Sequence, residues 1–283
     1  MTAADALAVA AEPSITLPAV SVQAVDDIDD VIEALDAVVD QAITTESRVG
    51  YFASLYRQVT VAVKQRIDEG WFDDAERMSR FDAAFAARYL EAHALWTSGA
   101  APAKSWEIAF DVAARDDRVV IQHLLLGINA HVNLDLGIAA ARVGGDGHGG
   151  GDIFELEADF LRINDVFGGV LNQVQNVLDD LSPLMKILDD VGGRTDEEIV
   201  HFNVRKAREE AWNHAVVLAR QDAAEEARTI DVLDRKVAFL ARILDDPGPL
   251  LRPALELIRF IETKDVVRVI EALNAPVVVT LPR

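Results

Sequence analysis

The segment from Asp117 to Arg142 constrains the fold more than any other part of the chain. Its middle, QHLLLGINAHVNLDLG, is apolar on almost every side at helical spacing. A helix of this kind is normally buried in the core of a domain. Because buried polar groups are costly without partners, the segment predicts either a hydrogen-bonded core helix or the wall of a functional cavity. Set into its apolar stretch are the polar side chains of His123, Asn129, His131, Asn133 and Asp135.

Helical periodicity continues through almost everything from residue 26 onward, and no repeat or linker divides the chain. Gly70 and Gly99 each end one of these periodic segments. We therefore expect an all-α fold, a single multi-helix bundle domain over residues 23–275 built around the buried central helix at about 117–142. Residues 1–22 are predicted to form a partly ordered N-terminal arm, and residues 276–283 a C-terminal tail.

The charge of the chain limits its partners. Asp and Glu number 48 against 27 Lys and Arg, a formal net charge of -21. Binding to nucleic acid or to an anionic membrane surface needs basic clusters, so we expect neither. No apolar run is expected to reach the length that spans a bilayer, and the N-terminus lacks the basic region of a signal peptide. The chain is therefore predicted to be cytoplasmic, with a small molecule as its partner. Its oligomeric state is left open.

The absence of cysteine narrows the possible chemistry. A disulfide, a thiolate metal site and a cysteine nucleophile are all excluded. A metal would have to be held by His, Asp, Glu or backbone oxygen, which favours ions such as zinc or iron. A site without metal is equally allowed by the sequence.

His131 and Asp135 are the strongest functional candidates on the central segment. Residues four apart share one face of a helix, so these two side chains can touch. Asp135 can then orient the His131 imidazole as a general base, or both can bind one metal ion. The alternative is a satisfied core pair that ties helices together. We favour a functional role, because five polar side chains on one buried helix exceed what a core normally tolerates.

His123 is the second histidine of the central segment. It precedes His131 by eight residues, which is about 12 Å along a helix axis. The two histidines are therefore poorly placed to share one ion, but they can line one cavity or bind two ions in a multinuclear site. Gly127 between them leaves a gap that a ligand or another backbone can approach.

Other helices must complete any such site. In ADFLRINDVF, Asp159 or Asn164 can face His131 and add a metal ligand or a hydrogen bond. The alternative without a functional role is a surface ion pair between Asp159 and Arg162, which would contribute little to stability.

A third segment, HFNVRKAREEAWNHA, carries Arg208 and Trp212 on one helical stripe. An arginine beside a tryptophan can bind an anionic group or simply stack on the ring. Tyr89, four residues before His93, is a further ligand-binding candidate. The predicted catalytic set is thus His131, Asp135, His123 and Arg208. The predicted ligand-binding residues are Asn129, Asn164, Trp212 and Tyr89, and the predicted metal ligands are His131, Asp135 and Asp159.

Several segments in order resemble a known family. They are VGYFASLYRQVTVAV, FDDAERMSRFDAAFAARYL, QHLLLGINAHVNLDLGIA, DFLRIND and AREEAW, within residues 25–220. Together they are similar to a bacterial and fungal family numbered 5995 among domains of unknown function. The resemblance implies an all-helical domain of enzyme size and no established reaction. It singles out His123, Asn129, His131, Asp135, Asp159, Asn164, Arg208 and Trp212.

A looser similarity, at the level of the fold, is to helical zinc-dependent phospholipase C and nuclease enzymes. They hold metal clusters through His and Asp pairs at the spacing of His131 and Asp135, and only this element matches.

Three functions remain open at this point. The first is a small-molecule enzyme, of the hydrolase, lyase or cyclase type, in which His131 and Asp135 act as acid and base or as metal ligands. The second is a helical protein that binds a small molecule without catalysis. The third is a structural or interaction protein whose polar core only fixes packing. The sequence favours the first.

Overall fold

The computed structural model describes residues 25–145, 151–167, 170 and 204–276. The described residues are mostly helical and contain no strand, which confirms the all-α prediction. The predicted arm and all but the first residue of the predicted tail lie outside the described residues. The helices are α1 Ile28–Thr44, α2 Val49–Asp68, α3 Ala75–Thr97, α4 Lys104–Ala113, α5 Val120–Ala130, α6 Leu136–Gly144, α7 at 157–167, α8 Val204–Leu218, α9 Ala223–Asp245, α10 Arg252–Ile261 and α11 Val266–Leu273.

The central segment is one continuous helix made of α5, a π-helical turn and α6. The π turn, His131–Asp135, joins α5 to α6 without a break. Helices α2, α3, α4, α8 and α9 pack around this rod. Most of its side chains, polar ones included, are buried. The prediction of a buried central helix is therefore confirmed. A π turn inside an α-helix is a costly irregularity that occurs frequently at functional sites.

The length of this helix corrects the expectation that no apolar run is long enough to span a bilayer. Within the part of the chain that the structure describes, Val120–Gly144 is long and apolar enough to cross a membrane by length and composition alone. However, 89% of its most apolar window is buried inside the fold. A core helix passes the same test as a spanning one, because a helix enclosed by other helices also needs apolar residues on all sides.

Buried carboxylates from distant helices cap several helix starts. Asp159 accepts the backbone N–H of Asp73 at 2.8 Å, just before α3, and Asp234 accepts that of Lys104 at the start of α4 at 2.9 Å. Glu262 accepts the N–H of Val120 at the start of α5 at 3.2 Å. A carboxylate here satisfies an N–H with no partner in its own helix and complements the helix dipole. These contacts fix the helices that carry the central residues.

Gly127 permits the closest approach of α2 to the central helix. A Cβ atom on Gly127 would lie 2.4 Å from the ring of Phe52. The Phe52 ring in turn packs edge-on against the imidazole of His131, with centroids 5.6 Å apart. The gap expected for a ligand between the two histidines is therefore filled by a core ring. Gly127 has the role of letting the Phe52 ring pack against His131.

We expect Gly127→Ala to destabilise the fold by about 1–3 kcal/mol, the usual cost of overpacking a core. The added methyl group must displace the Phe52 ring. The free-energy cost of this displacement exceeds the gain in helix propensity from glycine to alanine. Chemical denaturation of the variant and of Phe52→Leu/Gly127→Ala provides the measurement. The smaller leucine should recover part of the loss. Equal stability of Gly127→Ala and the unchanged chain would refute this account of the glycine.

Candidate functional site

The π turn brings the predicted pair together. The Nδ1 atom of His131 lies 3.5 Å from Oδ2 of Asp135, a long hydrogen bond. Both residues are buried, with His131 3% and Asp135 0% exposed. Catalytic hydrogen bonds are often long before a ligand binds. The sequence therefore identified a real contact, although the turn that carries it is π-helical rather than α-helical.

Asp135 is held by two further donors from neighbouring helices. Trp106 of α4 donates its indole N–H to Oδ2 at 2.8 Å, and Arg88 of α3 donates through Nε to Oδ1 at 3.2 Å. The carboxylate is thus satisfied on both oxygens and paired with a cation, as a buried charge requires. Arg88 is partly exposed, so it connects this buried group to the surface.

Aromatic rings enclose the imidazole of His131. The ring of Phe85 stacks face to face on it, with centroids 3.6 Å apart and planes within 9°. Tyr56 meets it edge-on at 4.4 Å. Phe52, Trp106 and Tyr89 complete the enclosure at centroid distances of 5.6, 6.1 and 6.3 Å. We call the following residues the His131 cluster: Phe52, Tyr56, Phe85, Arg88, Tyr89, Trp106, His131 and Asp135.

The surroundings keep His131 neutral. Burial lowers the pKa of the imidazole, and this effect outweighs the opposing influence of Asp135. The nearby Arg88 cation lowers the pKa further. With Nδ1 facing a carboxylate, the neutral ring is expected to carry its proton on Nδ1, which leaves the lone pair on Nε2. That nitrogen is a proton acceptor at neutral pH.

Several buried polar atoms of this region have no hydrogen-bond partner among the described residues. They are Nε2 of His131, the hydroxyls of Tyr56 and Tyr89, and Oδ2 of Asp82. Burial raises the pKa of both tyrosines, and the charges of Asp82 and Asp135 raise that of Tyr56 further. The imidazole of His131 and both tyrosine hydroxyls are therefore uncharged near pH 7. Unpartnered polar atoms in a core cost stability, and their concentration here calls for a reason other than packing.

Sequence reasoning missed Asp82. Burial raises the pKa of its carboxyl group to about 7. It lies three and seven residues before Phe85 and Tyr89, on the same stripe of α3. An acid that interrupts an apolar stripe is the same signal that drew attention to Asp135. Arg88 and Trp106 carried no such signal, because only the packing of α3 and α4 brings them to the π turn.

Asn129 lies on a different side of the central helix. Its amide donates to the backbone oxygen of Val237 in α9 at 3.1 Å and accepts from Asn133 at 3.0 Å. This predicted ligand-binding residue is therefore satisfied by protein groups and ties α5 to α9.

Asp159 does not meet His131. It accepts hydrogen bonds from the N–H groups of Asp73 and Asp74 and from Arg77 and Arg162. The predicted metal set of His131, Asp135 and Asp159 is thus not brought together. Within the described ranges, no group of three or more His, Asp or Glu side chains is arranged to hold a metal ion.

Arg208 and Asn164 meet each other instead of the His131 cluster. Arg208 is 1% exposed and donates to the Asn164 side chain and to the Phe160 carbonyl, both at 2.7 Å. Its guanidinium also lies over the ring of Phe160, with 4.6 Å to the centroid. Burial lowers its pKa to about 9. Trp212 packs on the same Phe160 ring at 4.9 Å. These residues join α7 to α8.

His123 lies apart from His131. Its ring contacts Tyr51 edge-on at 5.6 Å and lines a small cavity that contains neither His131 nor Asp135. The expectation that the two histidines line one cavity is not met there. Because α2 presents Tyr51 to one histidine and Phe52 to the other, adjacent residues of a single helix separate them.

The raised pKa of Asp82 predicts a pH-dependent effect of Asp82→Asn. The folded carboxyl titrates near 7 and the unfolded one near its ordinary 3.8, so the native form retains a proton that the unfolded form releases. This cost of folding is absent at low pH, grows above pH 4 and is complete above pH 7. We expect Asn to stabilise the fold by about 1.5 kcal/mol at pH 5 and about 4 kcal/mol at pH 8. Urea denaturation measures both, and a difference independent of pH would contradict the assignment.

The comparisons with known proteins agree with the resemblance seen in the sequence. The model of a family of unknown function, DUF5995, matches residues 28–247, which include α1 to α9 and the whole His131 cluster. No curated protein and no solved structure matches the chain. The similarity to helical phospholipase C enzymes therefore still depends on the spacing of His131 and Asp135 alone. The chain belongs to the family of unknown function DUF5995.

Proposed function

We propose that this protein is a small-molecule enzyme in which His131 acts as a general acid and base, positioned by Asp135. The observation that carries the proposal is the state of the imidazole. One ring nitrogen faces an anchored carboxylate, and the other has no hydrogen-bond partner among the described residues. This is the arrangement by which a carboxylate fixes the tautomer of a catalytic histidine and stabilises the imidazolium that forms during the reaction.

The fixed position of Asp135 supports this role. Trp106 and Arg88 hold the carboxylate from two helices, so the orientation of the imidazole does not depend on a flexible loop. A catalytic group needs such support to remain in its productive geometry. The hydroxyls of Tyr56 and Tyr89, for which the described part of the chain offers no hydrogen-bond partner of normal geometry, can supply the hydrogen bonds that orient a polar substrate.

The reaction class follows from the groups available. Nε2 of neutral His131 can remove a proton from carbon, from a hydroxyl group or from water, and return it later in the reaction. This chemistry serves eliminations, cyclisations and hydrolyses. A metal-assisted version would need ligands beyond His131 and Asp135, and the described residues offer no third ligand beside them. The metal-free version is therefore the form that we propose.

The enclosed position of the imidazole requires an opening step. With His131 only 3% exposed, a substrate reaches Nε2 only if a neighbouring side chain moves. Arg88 is the cluster member nearest to solvent, and Phe85 covers one face of the ring. Opening motions of this kind are common in enzymes that exclude water from the reaction.

The alternative is a small-molecule binding protein without catalysis. The observation that favours it is the aromatic enclosure, because rings around a few polar groups are typical of ligand pockets in general. The two proposals share a site and differ in whether His131 transfers a proton.

The test combines a ligand screen with a matched pair of histidine variants. The full chain is screened by thermal shift against small polar and cyclic metabolite-like compounds, and each hit is followed by NMR for chemical conversion. We expect at least one hit to be converted. His131→Gln should lower the turnover number by about 10²–10⁴, the usual contribution of general acid–base catalysis. His214→Gln makes the same change on α8, at a partly exposed histidine outside the cluster, and should leave turnover unchanged.

The outcomes separate the functions. A hit that binds the unchanged chain through this cluster but is never converted identifies the binding protein. Conversion that survives in folded His131→Gln refutes the catalytic role of this residue. The polar core is structural if the unchanged chain and His214→Gln neither bind nor convert any compound and His131→Gln unfolds.

A further inference from the structure

A second polar site lies at the start of the central helix, away from the His131 cluster. The lining of its cavity, about 20 Å³ in volume, comes from the turn before α2, the start of α5 and the turn after α10. That volume is sufficient for one atom or molecule of the size of water. The lining residues used below are Arg48, Arg118, Val120, His123, Glu262 and Lys264.

His123 is the unexplained group of this cavity. Its side chain is 6% exposed, and neither ring nitrogen makes a hydrogen bond of normal geometry to the described residues, although the Arg118 backbone lies close enough to raise its pKa slightly. Burial and the charge of Arg48 lower its pKa to about 4, so the ring is neutral and offers one donor and one acceptor. A buried imidazole without partners in a polar cavity points to an occupant that supplies them.

Arg48 provides a positive charge that no direct ion pair with a described residue neutralises, although it lies close enough to the Glu262 carboxylate to lower the pKa of that group. In the described part of the chain, no hydrogen bond or ion pair engages its guanidinium, although it is partly buried at the start of α2. Its neighbours Arg118 and Lys264 are occupied, since Arg118 pairs with Asp245 and Lys264 donates to the Arg259 carbonyl. Arginine in this position is suited to bind an anion through its fork of N–H donors.

The start of α5 adds a third source of positive potential. The helix continues through the π turn and α6 for 25 residues, so its N-terminus carries the full helix dipole. Glu262 already accepts one N–H there, which shows that this end of the helix attracts a negative group. Glu262 lies beyond residues 28–247, which are the ones that the family model matches.

We propose that this cavity binds a small anion, with one halide ion or one terminal oxygen of a carboxylate or phosphate placed between Arg48, His123 and the start of α5. The anion accepts hydrogen bonds from the guanidinium and from the ring N–H. Glu262 stands beside it as a fixed negative charge and weakens binding. The site is independent of the proposed catalysis at His131, because the two share no residue.

The test follows the ring nitrogens of His123 in the full chain by ¹⁵N NMR at constant pH and ionic strength. Chloride, acetate or inorganic phosphate replaces a bulky sulfonate salt, which is too large for the cavity. His123→Gln assigns the signals. We expect a saturable shift of the His123 signals. Chloride alone would identify a halide site, and acetate or phosphate as well would identify a site for the end of an oxyanion.

Three variants make the proposal falsifiable. Arg48→Gln should weaken binding about tenfold or more and should fold normally, because no hydrogen bond or ion pair to a described residue is lost with the guanidinium. Arg80→Gln makes the same charge change at an exposed arginine of α3 and should bind as the unchanged chain does. Glu262→Gln keeps an acceptor for Val120 and should tighten binding severalfold. The proposal is wrong if no anion shifts the His123 signals, or if Arg48→Gln binds like Arg80→Gln.

Discussion

The carboxylate of Asp135 is the interaction on which the centre of this molecule depends. A charge at 0% exposure is tolerated only where its partners are close, and α3, α4 and the π turn each supply one. The same contacts place Arg88, Trp106 and His131 relative to one another. The π turn is part of this arrangement, since both His131 and Asp135 lie within its five residues.

The other buried polar groups divide into two kinds. Asp159, Asp234 and Glu262 cap helix starts, and Asn129 bonds to a backbone oxygen, so each of these has an evident structural task. His131, Tyr56, Tyr89, Asp82 and His123 keep buried atoms without partners among the described residues. The two proposals made above assign ligands to the unpaired atoms of His131 and His123.

Much of the fold followed from the sequence, because helical periodicity and capping residues are local signals. Gly99 follows the end of α3 as expected, and the buried central helix was recognised from its uniform apolarity. The pairing of His131 with Asp135 was also predictable, since four-residue spacing fixes a common face. The π turn was not, because the pattern of apolar residues does not distinguish one widened turn from a regular one.

Contacts between distant segments were beyond local reasoning. Asp159 was predicted as a metal ligand, yet the position of α7 directs it to the start of α3. Arg208 and Asn164 were predicted near His131, but the Arg208 guanidinium donates a hydrogen bond to the Asn164 side chain instead. In each case the partner that the residue found depended on tertiary packing, which local patterns do not encode. Asp82 could have been found from its place on the apolar stripe of α3.

The central claim is that His131 is a neutral imidazole with its proton on Nδ1, facing Asp135, and a free lone pair on Nε2. Nitrogen-15 NMR of the histidine rings measures this state directly, with His131→Gln to assign the signals. We predict a neutral ring protonated on Nδ1 at pH 7, because burial lowers its pKa below the ordinary value of a histidine. A ring protonated on Nε2, or an imidazolium at pH 7, would contradict the account.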